Sequence, residues 1–281
     1  MDTEDQLIVV LADRRYRVER PWGVLPVGMQ LRSVSQLAVD SRGRVYVLQR
    51  GNPPIFVFEP SGSLHATWGS DQIVDGHGIF ISADDRVFVV DRDAHQVLIF
   101  DTEGTLTGTL GERHSPRFGE PFNHPTDVAV APDGDLYVSD GYGNSVVHWF
   151  SATGSLKRTW GRPGTGPGEF STPHGIWVDR SGRVLVADRE NNRVQVFDRE
   201  GTYLAEWGDF YHPMDIYEDS RGMVFVVDQI PRLSMMSSDG RLVGRCRPVL
   251  YVPHGVGGNA QGDIFLAEFN PIRVTKLALL A

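Results

Sequence analysis

An all-β chain folded as a six-bladed β-propeller is what this sequence predicts, and three observations predict it. A four-part pattern returns six times, roughly every 36–50 residues. Each copy carries short apolar runs separated by turn chemistry. The composition fits: 31 glycines and 17 prolines in 281 residues provide many turns, and 41% hydrophobic residues can fill a packed core.

The copies lie at 34–69, 76–111, 123–161, 171–208, 212–244 and 253–277. Each opens with a short apolar strand, as in "GIWV". A tight turn with Asp or Ser and Gly follows ("DSRGR", "APDGD", "DRSGR"). A β-rich strand comes next ("LYVSD", "VLVAD", "VFVVD"), then a polar loop and a third strand ("QVLIF", "RVQVF"). A turn such as "DREG" leads into a fourth strand, which ends in Trp-Gly or Leu-Gly in most copies. The last copy stops after its third strand. The N-terminal segment 5–18 has no repeat of its own, so it is expected to supply the missing outer strand and close the ring. Closure removes two open sheet edges. Inserts such as "ERHSPRFGEPF" join consecutive blades. No linker is visible, so residues 1–281 read as a single propeller domain.

A net charge of -9 offers no basic face for nucleic acid or anionic membrane. The one cysteine, Cys246, permits no internal disulfide. The N-terminus pairs acidic residues with a short apolar run, which is neither a signal peptide nor a membrane span. These features point to a cytoplasmic protein, with the oligomeric state left open.

Three histidines share one place in the repeat. His77 in "GHGIFI", His174 in "TPHGIWV" and His254 in "VPHGV" each begin the first strand of a blade, in blades two, four and six. The first strand of a propeller blade lines the central channel. Blades one, three and five carry Ser35, Thr126 and Met214 at that place. Histidines on every second blade of six stand a third of a turn apart and aim at one axial point. A lone histidine in a Pro-His-Gly turn is an ordinary loop residue, and repeats also copy residues without purpose. Copying alone does not produce strict alternation. Three converging imidazoles make a metal site with an open coordination position, and zinc is the default among zinc, iron, copper and nickel. His124 and His212 are one residue out of register and read as structural.

The loop after the second strand faces the same end. It begins with an acid in blades two to five: Asp91, Asp140, Asp188 and Asp228. These acids are expected to hold the loop backbone. Arg92 and Arg189, which follow two of them, read as repeat-wide ion pairs. Two departures stand out. Blade three has "SDGYGNS", presenting Tyr142 between two glycines. Blade one has "LQRGNPP", where Gln49 replaces the acid and Arg50 loses the partner that the other arginines have. A free guanidinium there can hold a carboxylate with two parallel hydrogen bonds.

The blades resemble the NHL-repeat family of six-bladed propellers over nearly the whole chain. From about residue 34 to the C-terminus, and most closely over 118–208, the chain is similar to the lyase domain of peptidyl-α-hydroxyglycine α-amidating enzymes, in "HPTDVAVAPDGDLYVSDGYGNS", "GEFSTPHGIWV" and "VLVADRENNRVQVF". The resemblance implies that His77, His174 and His254 hold a catalytic zinc, that Tyr142 matches the catalytic tyrosine, and that Arg50 matches the active-site arginine. It implies cleavage of an α-hydroxylated amide into an amide and an aldehyde, on a small or short peptide-like substrate. The chain departs from that family at Gly143, where a cysteine stands in the family. It departs again at Gly255, where an acid serves a structural calcium, so calcium at that place is doubtful. The copper hydroxylase companion domain is missing. Two other readings compete: a non-catalytic propeller that binds a protein partner, and a metal-dependent propeller hydrolase or lactonase. The last needs converging carboxylate and amide ligands, and the sequence offers no such set.

Overall fold

The structure is a computed structural model that describes residues 7–247 and 251–280. Its strands form six antiparallel sheets, one per blade. The inner strands are Val34–Val39, Gly76–Ile81, Asp127–Val130, Pro173–Val178, Pro213–Glu218 and Val252–Gly258, in blades one to six. No helix among the described residues is long and apolar enough to cross a membrane.

The second strand of each blade is an apolar run, such as Val45–Gln49, Val87–Asp91 and Val184–Asp188, buried along its whole length. Neighbouring blades cover both of its faces, so alternation disappears from the sequence. Fourth strands such as Leu106–Leu110 and Leu156–Trp160 are largely exposed and mixed in polarity. The apolar clusters sit between blades: Phe88 and Val90 of blade two pack with Val128 and Val138 of blade three. This leaves the axial channel free for polar side chains.

The turns that lead out of the inner strands are built by carboxylates. Asp40, Asp179 and Asp219 each accept backbone N–H groups from two and four residues later. The glycine inside each of these turns has a φ near +80°, which a side chain opposes.

The N-terminal segment closes the ring as expected, with one refinement. It is a hairpin rather than a single strand. Arg14–Glu19 pairs with Arg273–Leu279 and is the fourth strand of blade six. Ile8–Leu11 folds back outside it as a fifth strand. Residues 5 and 6 of the expected segment lie outside the described residues. Leu11 and Tyr16 are fully buried against Phe225 and Leu233 of blade five, and Arg14 makes a buried ion pair of 2.5 Å with Asp219 of that blade.

Candidate metal centre

The structure brings His77, His174 and His254 together on the axis. Their ring centroids are 4.8, 5.1 and 5.0 Å apart, and one ligand atom from each falls within 4.8 Å of the others. Each ring is oriented in the same way. Nδ1 of His77 lies 2.7 Å from the carbonyl oxygen of Thr126, that of His174 2.7 Å from Met214, and that of His254 2.7 Å from Ser35. These carbonyls belong to the three blades without a histidine at that place in the inner strand. A carbonyl only accepts, so Nδ1 carries the hydrogen and Nε2 is left with a bare lone pair. A backbone acceptor behind each imidazole is how metal-ligating histidines are commonly held.

A glycine follows each histidine for a steric reason. A Cβ on Gly175 would lie 2.7 Å from the Met214 carbonyl oxygen and 2.8 Å from Asp215 Cα. On Gly78 it would meet the Thr126 carbonyl at 2.8 Å, and on Gly255 it would meet Gln36 Cα at 2.9 Å. The inner strands converge here, and only hydrogen fits between them. An acid at position 255 would collide with blade one.

The three imidazoles are fully buried, and burial is the main reason that each is held neutral. His77 and His174 are pushed well below the ordinary histidine range, and His254 is lowered to about 3. Charge repulsion among the rings and from Arg50 and Arg189 adds to this. Nε2 of His174 is buried with no hydrogen-bond partner. Neutral imidazole nitrogens converging on one point, one of them orphaned, fit a divalent transition metal, and the all-nitrogen donor set suits zinc.

Tyr142 stands at the mouth of this site. Its hydroxyl lies 3.0 Å from Nε2 of His77 and donates to it. Its ring contacts His77 and His174 edge-on at 5.3 and 6.0 Å. The flanking glycines are obligatory. A Cβ on Gly141 would run into the Pro173 carbonyl, and one on Gly143 into Asn123. The loop threads between blades, which projects the phenol into the mouth. Arg92 caps the ring, with its guanidinium carbon 5.5 Å from the ring centroid.

Arg50 is not without a counterion, which corrects the sequence expectation. Its Nε lies 4.0 Å from Oδ1 of Asp75 in blade two. Asp75 also holds Arg92 at 2.5 Å, so one carboxylate faces two guanidiniums. Nε of Arg50 still has no hydrogen-bond partner. Gln49 takes over the work of the lost acid: its Oε1 accepts the Arg32 N–H at 2.6 Å, and its Nε2 donates to the Pro53 carbonyl at 2.8 Å. The acids of blades two to five hold their loops as expected. Asp91, for example, accepts the N–H groups of Val74 and Asp75.

Sequence reasoning set aside Arg92 and Arg189 as repeat-wide ion pairs and did not weigh Phe269. The residues after Gln49, Asp91, Asp188 and Glu268 share one register in the repeat, and that register was the available signal. It yields Arg50, Arg92, Arg189 and Phe269, with the Phe269 ring tilted against His254 at 6.3 Å and under Arg50 at 5.8 Å.

A second layer lies one residue deeper. Gln36, Asp127 and Asp215 come from blades one, three and five. They converge behind the histidines, around a void of about 10 Å³ that Gln36 and Asp127 share with the imidazoles. The expectation that no carboxylate and amide set converges is therefore corrected. The sequence signal was weak because "TDV", "MDI" and "SQL" differ. These side chains are mostly committed to backbone. Gln36 Oε1 accepts the Ile79 N–H. Asp127 Oδ2 accepts that of Ile176 at 3.1 Å, and Asp215 Oδ2 that of Val256 at 2.8 Å. Odd and even blades thus hold one another around the axis with threefold regularity.

Comparison with known proteins agrees with this architecture. The NHL repeat profile matches residues 122–150 and 170–197. NHL repeat-containing protein 3 of Homo sapiens is 30% identical over 271 residues, spanning 85% of this chain and 78% of that protein. Peptidyl-alpha-hydroxyglycine alpha-amidating lyase 1 of Drosophila melanogaster is 28% identical and spans 93% of this chain, which covers about half (53%) of the fly protein. Among solved structures, a streptogramin B lyase superposes with a TM-score of 0.71 at 12% identity, covering 97% of this chain and 100% of that one. A gluconolactonase from Xanthomonas campestris superposes with a TM-score of 0.73 at 14% identity, covering 99% of each chain. At such identities these two speak to the fold alone. The repeats, the closed six-bladed ring and the shared length together make the chain a member of the NHL-repeat family, alongside NHL repeat-containing protein 3.

Proposed function

We propose that this chain is a metal-dependent carbon–nitrogen lyase that splits an α-hydroxylated amide into an amide and an aldehyde such as glyoxylate. The observation that carries the reading is the trio of neutral histidines, with Nε2 free of hydrogen, one of which, His77, lies 3.0 Å from the phenol oxygen of Tyr142. His77, His174 and His254 would hold the ion, with zinc preferred over other divalent transition metals. Bound there, it would supply Lewis-acid polarisation of the substrate hydroxyl. Similarity to the fly amidating lyase supports the choice of reaction.

The protein's own groups take the remaining tasks. Tyr142, as phenolate, accepts the proton of the substrate hydroxyl. The C–N electron pair leaves with the amide nitrogen, which receives the proton that Tyr142 took from the hydroxyl, and the hydroxyl-bearing carbon becomes the aldehyde carbonyl. Arg50 has donors to spare and holds a substrate carboxylate in two parallel bonds. Arg92 and Asp75 keep the phenol and Arg50 in place. The buried walls keep water from the histidines.

Metal analysis of purified protein tests the reading first. About one zinc per chain is expected, with loss in His174→Ala. Release of glyoxylate from an N-acyl-α-hydroxyglycine by the loaded protein then tests the reaction. A wild-type chain that takes up no metal, or a loaded chain that releases no glyoxylate, overturns it.

A further inference from the structure

The channel has a second chamber, at the end remote from the histidines. It is a cavity of about 70 Å³ with a floor of Gln36, Asp127 and Asp215 and walls that include Phe80, Trp177 and Tyr217. The three aromatic rings form a continuous arc. Phe80 and Trp177 lie 5.6 Å apart, and Trp177 and Tyr217 5.4 Å apart. These residues sit on the inner strands near their outgoing ends, three positions beyond the histidine register. The acid layer therefore separates two compartments.

The floor carries an unmet demand. Asp127 and Asp215 are 4% and 2% exposed, and Oδ1 of Asp127 has no hydrogen-bond partner. The two oxygens of Asp215 accept from Ile216 and Val256, Asp127 Oδ2 accepts from Ile176, and Gln36 Oε1 accepts from Ile79. Gln36 Nε2 donates to Asp127 Oδ2 at 3.4 Å, and among the described residues no cationic side chain pairs with either carboxylate of this chamber. Burial pushes both carboxyls above their ordinary range, and the charge of Asp215 pushes Asp127 further. A buried carboxylate calls for a positive partner or a proton.

We propose that this chamber binds a small organic ammonium, with Asp127 and Asp215 taking the charged head and Phe80, Trp177 and Tyr217 packing its alkyl part. Two features favour this over a hard divalent metal. Calcium and magnesium want about six or more oxygen ligands, whereas one carboxylate oxygen here is free. The walls are aromatic, which suits an alkylammonium through cation–π and apolar contact. The site is separate from the histidine centre and stands whether or not the lyase reading holds.

Calorimetric titration of the purified full chain tests this, using n-butylammonium chloride, neutral n-butanol and calcium chloride in turn. One n-butylammonium per chain is expected to bind and to raise the thermal midpoint, with no effect from n-butanol. Asp127→Asn is expected to weaken binding at least tenfold. Trp177→Leu, which leaves the carboxylates in place, is expected to weaken it about tenfold and carries the test if Asp127→Asn does not fold. Zinc content at the histidines should be unchanged in both variants. The proposal is overturned if n-butylammonium does not bind, if it binds both variants as well as wild type, or if only calcium binds in an Asp127-dependent way.

Discussion

The hydroxyl of Tyr142 in blade three donates to Nε2 of His77 in blade two at 3.0 Å. The lone pair that receives it is the one a metal would use. A metal held by the three histidines would compete for that lone pair and would leave the phenol hydroxyl without its present acceptor. Tyr142→Phe removes the proton acceptor and keeps the ring. We expect unchanged zinc content and a fall in kcat of about 10²–10⁴ with KM little altered. Tyr142 is 40% exposed, so unfolding free energy should change by less than about 1 kcal/mol. Undiminished turnover would remove Tyr142 from the mechanism.

Arg50 faces a carboxylate that Arg92 already holds closely, so its fork remains open to an anionic substrate. Arg50→Met should raise KM for a substrate with a free carboxylate by about 10–100-fold, and Arg50→Lys should recover only part of the loss. An esterified substrate should show no such difference between wild type and Arg50→Met. Equal losses on acid and ester would instead place Arg50 at the reacting carbon.

Glycine is required after each histidine by the closeness of the next inner strand. Gly175→Ala places a methyl 2.7 Å from the Met214 carbonyl, and should cost about 1–3 kcal/mol in urea denaturation. Gly208 has nothing within 4 Å of its would-be Cβ, so Gly208→Ala should shift stability by no more than about 0.5 kcal/mol. Equal effects at the two sites would contradict the packing described.

Metal-free protein should show two opposing acid-range contributions. The histidines have folded-state values below their unfolded ones. Their contribution is complete above the unfolded value of about 6.5 and falls as pH drops towards the folded value. For Asp127 and Asp215 the folded values are raised. Their contribution is complete below the unfolded value of about 3.9 and is lost as pH rises through the folded one. Asp127→Asn deletes part of the second term. Its stability relative to wild type should therefore improve steadily from pH 4 to pH 8 in chemical denaturation, and a flat difference would show that the carboxyl does not titrate in that window.

The ring, its six repeats and its closure were legible because propeller blades repeat their strand pattern in sequence. The histidine trio was legible for a related reason: alternation on a closed ring fixes direction, so phase in the repeat gave position in space. Tyr142 and Arg50 showed as breaks in the pattern. What was hidden depends on contacts between blades. Asp75 reaches Arg50 and Arg92 from a loop where no repeat position marks it. Gln36, Asp127 and Asp215 form one layer only after three separate blades meet. The N-terminal hairpin escaped because its turn, at Ala12 with a φ of +55°, uses no glycine or asparagine.

The pairing of Arg14–Glu19 with Arg273–Leu279 also has a meaning in time. The strand that locks the ring is made long before its partner, since almost the whole propeller lies between them in the chain. Until Arg273–Leu279 has been made, Tyr16 and Leu11 have no finished blade six to enter, and blade one keeps an open flank. The histidine centre shares this schedule, since His254 takes its backbone acceptor from Ser35, 219 residues earlier. Assembly of the histidine trio is thus a late event in the making of the propeller, reached only when blade six has met blade one.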